Sequence, residues 1–203
     1  MYDVHMPYHH GNLSEALVEA SFQTAREHGP DAVVLRAATR AVGVSPNAAY
    51  RHFADRDQLL QAVAARCLER LAQLMQVRLL EVPDEADAAK RSWSRLKAAG
   101  SAYIEFAVSE PGWFRTAFGS RHPTEPAALI DDGNPFSILK RLLDELVNVG
   151  ALSAERRVDA EYAAWAAVHG VATLSVDELL AALSDEERTR VVNKVLDVVI
   201  AGL

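Results

Sequence analysis

Apolar residues return at helical spacing along most of this chain. Between Leu60 and Met75 they recur every three or four positions for about five turns, which places them on one face of a helix. Segments 86–108, 136–149 and 158–183 show the same periodicity, the last as one long helix or two consecutive ones. No segment alternates with the period of a strand, and no stretch repeats. The pattern therefore predicts an all-α protein of about nine helices.

Glycine, proline and capping residues mark where these helices begin and end. Gly29 and Pro30 end the first long helix. Segment 119–135 holds several glycines and prolines, so we expect much of it to be loop. Ser184 with Glu187 three positions later is a capping-box pattern, which predicts that the last helix begins there.

The stretch 35–60 predicts two short helices joined by a tight turn. The first is expected over 35–42 and the second over 46–52. Gly43 lies at the turn, where glycine can take the left-handed conformation that a helix end needs. Ser45 can cap the second helix, and a proline follows at its first position. Two helices across a short glycine-containing turn form a helix-turn-helix, whose second helix enters the major groove of DNA.

The side chains of this second helix divide into an inward and an exposed set. Ala49 and Phe53 lie four positions apart and are expected to face inward. Tyr50 lies about 100° away around the helix, so the core does not require it. Asn47 can form two hydrogen bonds with adenine, and the methyl group of Ala48 can contact a thymine methyl. The exposed set is therefore suited to DNA.

The sequence GVSPNAAYRHFADRDQLL resembles the DNA-binding signature of the TetR/AcrR family of bacterial transcriptional regulators. The similarity is close from Tyr8 to about Leu71 and weak beyond. Its most specific positions are Gly43, Val44, Ser45, Tyr50, His52, Phe53, Arg56 and Leu59. The chain departs from the pattern at Val34, where many relatives place a serine or threonine cap.

The resemblance implies a set of DNA-contacting residues: Arg36, Ser45, Asn47, Ala48, Tyr50, Arg51, His52 and Arg56. Asn47 and Ala48 match positions that approach base edges, and Arg51 could contact either bases or phosphates. Tyr50, His52 and the two outer arginines match positions that hold phosphates. The alternative is that Tyr50 and His52 only pack the small domain.

The family's architecture implies two domains. They are a helix-turn-helix DNA-binding domain over 8–54 and a ligand-binding and dimerisation domain over 55–203. The long helix that opens the second domain joins the two, so a signal from a ligand would travel along it. Further on, Trp165-x-x-x-His169-Gly170 resembles a Trp/His-Gly signature in the C-terminal region of one TetR subgroup.

Aromatic residues of the C-terminal part are the candidates for an effector pocket. They are Tyr103, Phe106, Trp113, Phe114, Phe118, Trp165 and His169. A mostly apolar cavity with a few polar groups is what a small ligand needs. Aromatics at helical spacing are more often core, however, and His169 is equally well explained as a buried histidine with a hydrogen-bond partner.

The last two helices carry apolar faces that suit a dimer. In the family, these helices pack against their twofold mates as a four-helix bundle. The residues concerned are Val191, Val195 and Val198 on one helix, and Tyr162, Ala166 and Val176 on the other. Both faces could equally belong to the core of one chain, because a periodic pattern shows only that a face is buried.

Charge is distributed unevenly over the 203 residues. The net charge is −7, which argues against a protein that coats nucleic acid generally. Between Ala32 and Arg56, however, four arginines stand against one acid, a local charge of 4 − 1 = +3. This is consistent with one small DNA-facing patch, the alternative being a solvated charged face.

The cysteine content and the hydropathy indicate the cellular compartment in which the protein is expected. The single cysteine, Cys67, excludes an internal disulfide and lies at an apolar helical position typical of a buried thiol. Residues 1–11 contain no apolar run of a signal peptide, and no window reaches the ~18 apolar residues of a membrane span. We expect a cytoplasmic protein without cofactor or metal, since His9 and His10 alone lack a ligand set.

Together with these patterns, the resemblance to the TetR/AcrR family implies a ligand-responsive homodimeric repressor that binds a palindromic operator. Its expected partners are double-stranded DNA, a small apolar or amphipathic effector and a second copy of the chain. One alternative is an all-helical enzyme, but the sequence contains no P-loop, no G-x-S-x-G and no H-E-x-x-H motif. The other alternative is a helix-turn-helix protein that retains only protein contacts.

Overall fold

Ten α-helices and one 3-10 turn account for the secondary structure of residues 13–119 and 133–203, which this computed structural model describes. In chain order they are α1 (Leu13–His28), the 3-10 turn (Pro30–Ala32), α2 (Leu35–Val42), α3 (Pro46–Ala49), α4 (Arg56–Leu80), α5 (Ala88–Ser109), α6 (Pro111–Phe118), α7 (Pro135–Asn148), α8 (Ala154–Arg157), α9 (Ala160–Asp177) and α10 (Asp185–Gly202). None of these described residues forms a strand, and the expected all-α class is confirmed. His9, His10 and most of the expected loop at 119–135 lie outside the described ranges.

Two differences from the expected helices occur in the C-terminal part. The four-residue α8 was not predicted, because a single turn is too short to show periodicity. The apolar segment 158–183 is helical only as far as Asp177. Beyond it the N–H of Leu180 bonds the carbonyl of Leu174 at 3.0 Å, a contact that closes the helix end.

The predicted capping box of α10 is present. The Ser184 hydroxyl accepts from the Glu187 N–H at 3.3 Å, and the Glu187 carboxylate accepts from the Ser184 N–H at 3.1 Å. Hydrogen bonds from Ser184 also lower the pKa of the Glu187 carboxyl. By contrast, Val34 stands at the N-cap of α2 and provides no side-chain cap, as its apolar side chain requires.

The contacts within the chain divide it into two compact units. Unit 1 comprises Met1–Cys67 and Gly112–Pro123, and unit 2 comprises Leu68–Pro111 and Thr124–Leu203. The continuous helix α4 therefore contributes to both units, and α6 belongs to unit 1 almost entirely. The expected domain boundary after residue 54 stays a prediction.

Unit 1 is built on α1 and the short helices that follow it. Helix α1 packs against α2, α3 and the 3-10 turn. Leu17, Ala25 and Ala49 are completely buried in its core. Cys67, at the end of this unit, is also buried, and burial raises the pKa of its thiol. The expectation of a structural rather than a reactive cysteine agrees with this setting.

Helix α5 is the central helix of unit 2. It packs against α7, α9 and α10, and α9 in turn contacts α7 and α10. Three leucines of α7, Leu142, Leu143 and Leu146, are at most 1% exposed and fill the space beside α5. This arrangement places α4, α5, α7, α9 and α10 around the cavity described below.

Candidate DNA-binding surface and ligand cavity

The turn between α2 and α3 depends on Gly43. Its φ of 76° and ψ of 29° lie in the left-handed region, as the sequence predicts. The Gly43 N–H bonds the carbonyl of Arg40 at 3.3 Å, and the Val44 N–H bonds that of Thr39 at 3.0 Å. These bonds satisfy carbonyl groups at the end of α2 and turn the chain toward α3.

Helix α3 is shorter than expected but keeps its predicted orientation. It ends at Ala49 rather than His52. The N–H groups of His52 and Phe53 both bond the carbonyl of Ala49 at 2.9 Å, so the last turn tightens. Ala49 and Phe53 are buried, at 0% and 7% exposure, which confirms the predicted inward pair.

The remaining side chains of this segment face outward. Asn47, Arg51 and His52 are exposed, Tyr50 is 54% exposed, and Ala48 is half-buried. The exposure of Tyr50 and His52 does not fit the alternative in which they only pack the small domain. The structure thus brings together five of the sequence-predicted DNA-contacting residues in one outward-facing turn.

Ser45 stands at the N-cap of α3 without acting as a cap. Its backbone is extended, with φ −70° and ψ 150°, but its side chain makes no capping hydrogen bond. The expected cap is therefore wrong in this respect, although the helix does begin at Pro46. The Ser45 side chain is exposed beside α3, where a hydroxyl can donate to a phosphate oxygen.

Three exposed arginines surround this turn. Arg36 and Arg40 lie four positions apart on α2, and Arg51 follows α3. None of the three forms an ion pair within residues 13–119 and 133–203. Arg40 was not among the predicted contacts. Its spacing from Arg36, which puts both on one helix face, is the signal that could have indicated it.

Arg56 has a different environment from the other arginines. Its Nε donates to the Val33 carbonyl at 2.8 Å, and its Nη2 donates to the Pro30 carbonyl at 2.7 Å. The carboxylates of Asp31 and Asp57 lie 4.0 and 3.9 Å from its guanidinium nitrogens. The guanidinium therefore ties the start of α4 to the 3-10 turn. These partners precede it by 26 and 23 positions, beyond the reach of local sequence patterns.

Unit 2 contains a small, partly open cavity of about 40 Å³. Its walls are formed by Met75, Leu96, Lys97, Ala99, Gly100, Tyr103, Pro135, Leu139, Ala164, Trp165, Val168, Leu196, Val199 and Ile200. Gly100 permits close packing here, because a β-carbon at this position would lie 2.8 Å from Cδ2 of Leu196. The cavity is almost entirely apolar, which is typical of a site for a small ligand.

Two of the predicted ligand-binding aromatics line this cavity. The rings of Tyr103 and Trp165 meet edge to face with their centroids 5.2 Å apart. The Tyr103 hydroxyl is hydrogen-bonded to Nδ1 of His169 at 2.9 Å. Burial raises the pKa of the Tyr103 phenol and lowers the pKa of the His169 imidazole. Both groups are therefore neutral at neutral pH.

The other five predicted ligand-binding residues, His169 among them, are not part of the cavity walls. Phe106 is 2% exposed in the core of unit 2. Trp113, Phe114 and Phe118 belong to unit 1. Trp113 stacks on Phe22 with centroids 4.2 Å apart. The sequence prediction grouped these residues as aromatics of the C-terminal part, whereas α6 belongs to unit 1 almost entirely.

No helix within the described ranges is both long and apolar enough to cross a membrane.

Two family models match the chain. The model "Bacterial regulatory proteins, tetR family" matches residues 17–63, which include the helix-turn-helix. The model "Tetracyclin repressor-like, C-terminal domain" matches residues 96–199, about half of the chain. No curated protein sequence matches.

Several solved structures resemble this one over nearly their whole length. A protein of unknown function from Rhodococcus sp. RHA1 is 26% identical, with 98% of both chains covered and a TM-score of 0.76. A glutamine-to-alanine variant of TetR from Acinetobacter baumannii AYE, in complex with minocycline, is 23% identical, with 93% of this chain and 94% of that chain covered and a TM-score of 0.63. RolR in complex with resorcinol is 19% identical, with 93% and 88% covered and a TM-score of 0.61. The last two likenesses concern the fold alone.

Proposed function

The chain belongs to the TetR family of bacterial regulatory proteins, and we propose that this DNA-binding transcriptional regulator is a homodimeric repressor that a small molecule releases from a palindromic operator. Regulators of this family are generally not enzymes. The observation that carries the proposal is the outward-facing turn of α3, which presents polar side chains while Ala49 and Phe53 anchor it from within.

We assign the DNA contacts by side-chain chemistry. Asn47 and Ala48 read base edges, since an amide pairs with adenine and a methyl group contacts thymine. Ser45, Tyr50 and His52 hold phosphates, together with the exposed arginines of α2. Arg51 serves either purpose. All of these side chains are exposed or half-exposed in the free protein.

Arg56 acts differently in this proposal. Two of its guanidinium nitrogens donate to the carbonyls of Val33 and Pro30. Its role is therefore to hold the 3-10 turn against α4, so that the helix-turn-helix keeps its shape. Any contact that Arg56 makes with a phosphate is secondary to this positioning role.

The dimer forms through α9 and α10. Tyr162 and Ala166 of α9 are exposed, and Val198 of α10 is 58% exposed. Gly170, in line with Ala166 on α9, has open space where a β-carbon would point. An apolar surface with small residues lets two helices approach closely, and a twofold axis buries the same patch on both copies.

The effector binds in the cavity of unit 2 and acts through α4. Met75, which lines the cavity, and Arg56, which braces the helix-turn-helix, lie on the same continuous helix. A ligand that prefers one position of this helix shifts the equilibrium away from the DNA-binding arrangement. The complexes of RolR with resorcinol and of the TetR variant with minocycline are precedents for a ligand on this fold.

The first experiment is selection of bound sequences from a random duplex pool at near-physiological salt. We expect enrichment of a palindrome with half-sites about one helical turn, 10–10.5 base pairs, apart. Asn47→Ala should relax base preference at one position of each half-site, whereas Tyr50→Ala should weaken binding to all sequences. Arg141→Ala, an exposed change on α7 outside the proposed dimer surface, is the matched control.

Two results would contradict the proposal. One is the absence of any enriched sequence, with only salt-sensitive residual binding. The other is unchanged binding when Asn47, Tyr50 and Arg51 are replaced together. A clear operator would next serve to screen ligands by the release of the protein.

A further inference from the structure

Three exposed residues follow α3, Tyr50, Arg51 and His52, and together they form what we call the contact turn. The His52 N–H donates to the carbonyl of Ala49 at 2.9 Å, which fixes the turn to the end of α3. On its other side the chain continues through residues 53–55 before α4 begins. The backbone between the two helices lies outside regular helical hydrogen bonding, so its shape depends on other bonds.

A side chain of α4 supplies one of these bonds. The Oε1 atom of Gln58 accepts a hydrogen bond from the Ala54 N–H at 2.9 Å. In return, the Asp55 carboxylate accepts a hydrogen bond from the Gln58 N–H at 2.9 Å, as at a capped helix start. The two bonds hold the side chain of Gln58 and the backbone of 54–55 to each other. Because Ala54 lies two positions after His52, they fix the far end of the contact turn.

Phe53 anchors the same segment from within unit 1. Its side chain is 7% exposed, whereas His52 before it and Ala54 after it are exposed. A buried side chain determines where the backbone passes, but it leaves the neighbouring backbone torsions free to rotate. The bond to Gln58 restricts this rotation on the Ala54 side. The contact turn is therefore ordered in the free protein at both of its ends.

Gln58 differs from the side chains that are suited to contact DNA directly. Its acceptor oxygen is engaged by the protein's own backbone, and its amide carries no charge. Neutralisation of phosphates falls instead to the exposed arginines Arg36, Arg40 and Arg51. Gln58 is thus able to influence DNA binding through the shape of the contact turn and not through charge.

We propose that Gln58 is a positioning residue for DNA binding, which holds the contact turn in its DNA-binding shape before DNA arrives. This inference rests on the proposed function, because it takes the contact turn as a surface that meets DNA. It adds a residue outside that surface on which operator affinity depends. Without the bond to Ala54, binding has to order the turn, and ordering a backbone segment costs conformational entropy. The apparent dissociation constant then rises in inverse proportion to the fraction of molecules that are already ordered.

Three variants of the full-length protein isolate this bond. Gln58→Ala removes the acceptor oxygen and leaves the backbone bond to Asp55 in place. Gln58→Glu keeps an acceptor oxygen, since glutamate and glutamine both serve at this position of a capping box. Gln61→Ala is the matched control. Gln61 is an exposed glutamine three positions later on α4, and its side chain forms no hydrogen bond within the ranges that the structure describes.

The first measurement is made without DNA. Nuclear magnetic resonance relaxation gives the order parameters of the backbone N–H groups at 50–54. We expect values of about 0.85 in the unchanged protein and a fall toward about 0.6 in Gln58→Ala. Gln58→Glu and Gln61→Ala should keep the higher values. Restoration by glutamate would tie the order of the turn to the acceptor oxygen.

The second measurement is the dissociation constant for a fluorescently labelled duplex of the sequence that the unchanged protein selects. One hydrogen bond of this kind changes an equilibrium constant by a factor of about 5, which limits the loss to about 25-fold for a dimer that contacts two half-sites. We expect Gln58→Ala to raise the dissociation constant between about 3-fold and about 25-fold. The slope of log K against log salt should not change, because no phosphate contact is lost. Gln61→Ala should bind within about 2-fold of the unchanged protein.

Several results would overturn the proposal. One is an unchanged order of the contact turn in Gln58→Ala, and another is a dissociation constant within about 2-fold of the unchanged protein. A loss of affinity without a loss of order would mean that Gln58 contacts DNA directly. A loss of order in Gln58→Glu as large as in Gln58→Ala would separate the order of the turn from the acceptor oxygen.

Failure of this proposal is distinguishable from failure of the proposed function. If the unchanged protein selects no sequence, the proposed function fails and the role of Gln58 in DNA binding fails with it. If it selects an operator that Gln58→Ala binds as tightly, the proposed function stands and only the positioning role fails.

Discussion

The indole N–H of Trp113 donates a hydrogen bond to the backbone carbonyl of Phe22 at 2.8 Å, although the two residues are 91 positions apart. Their rings also stack, with centroids 4.2 Å apart and planes 15° from parallel. The guanidinium of Arg26 lies 4.9 Å from the same indole. Trp113 is 5% exposed, so α6 is fixed to α1 inside unit 1.

Trp113→Phe should lower the free energy of unfolding by about 1–2 kcal/mol, because it removes one buried hydrogen bond and part of the stacked ring. Trp113→Ala should cost about 3–5 kcal/mol. Urea denaturation followed by far-ultraviolet circular dichroism measures both. Trp93→Phe is the control, since Trp93 is only half-buried and makes no hydrogen bond within the described ranges. If Trp113→Phe and Trp93→Phe lower the free energy of unfolding equally, the hydrogen bond and ring stacking of Trp113 do not stabilise unit 1.

Gly112 is the second element of this contact. A β-carbon there would lie 2.3 Å from the backbone oxygens of both Ala25 and Arg26. Gly112→Ala should therefore push α6 off the end of α1 and lower the free energy of unfolding by about 2–3 kcal/mol. Gly133→Ala, at a position with no atom within 4 Å of the added carbon, should change it by less than about 0.5 kcal/mol. Thermal denaturation of the two variants side by side distinguishes them.

Arg56 and Arg51 should respond differently to replacement by alanine. Arg56→Ala removes the hydrogen bonds to Val33 and Pro30, and should cost about 1.5–3 kcal/mol of stability. Arg51→Ala should leave stability unchanged within about 0.5 kcal/mol and weaken DNA binding. If Arg51 neutralises one phosphate, the slope of log K against log salt should fall by about 1. If Arg56→Ala and Arg51→Ala lower the free energy of unfolding equally, Arg56 does not have the positioning role that separates it from Arg51.

Val198→Asp should separate the protomers. The side chain is 58% exposed in the single chain, and the proposed twofold interface would bury the new carboxylate against an apolar surface. We expect the dimer dissociation constant to rise by about 100-fold or more, as measured by analytical ultracentrifugation. Val77→Asp is the control, an exposed valine of α4 in the same unit. A dimer that survives Val198→Asp and fails with Val77→Asp would move the interface away from α10.

His169 should make the stability of the protein depend on pH. Its pKa is lowered in the folded state by burial, so the unfolded chain binds the proton more readily below about pH 6.5. The contribution of neutral His169 to the free energy of unfolding is therefore fully present above pH 6.5, and it is lost as the pH falls through the pKa that His169 has in the folded protein. Urea midpoints between pH 8 and pH 5 should show this fall. His169→Gln should flatten it, whereas His28→Gln, at an exposed position, should not.

The sequence by itself determined the helix-turn-helix. Gly43, the proline that starts α3, and the inward pair Ala49 and Phe53 lie within a few residues of one another. Turn conformation and helical periodicity are local properties, so these residues were enough to predict the turn and the buried pair, although Ser45 makes no capping hydrogen bond and α3 ends at Ala49. The all-α class and the capping box at Ser184 followed in the same way.

Only the tertiary structure decided which residues meet. Periodicity shows that a helix has a buried face but not what covers it. It therefore could not separate Trp113, which packs on Phe22, from Trp165, which lines the cavity. Nor could it show that Arg56 reaches carbonyls more than 20 positions earlier. These contacts depend on where the chain returns in space, and no pattern of neighbouring residues encodes that.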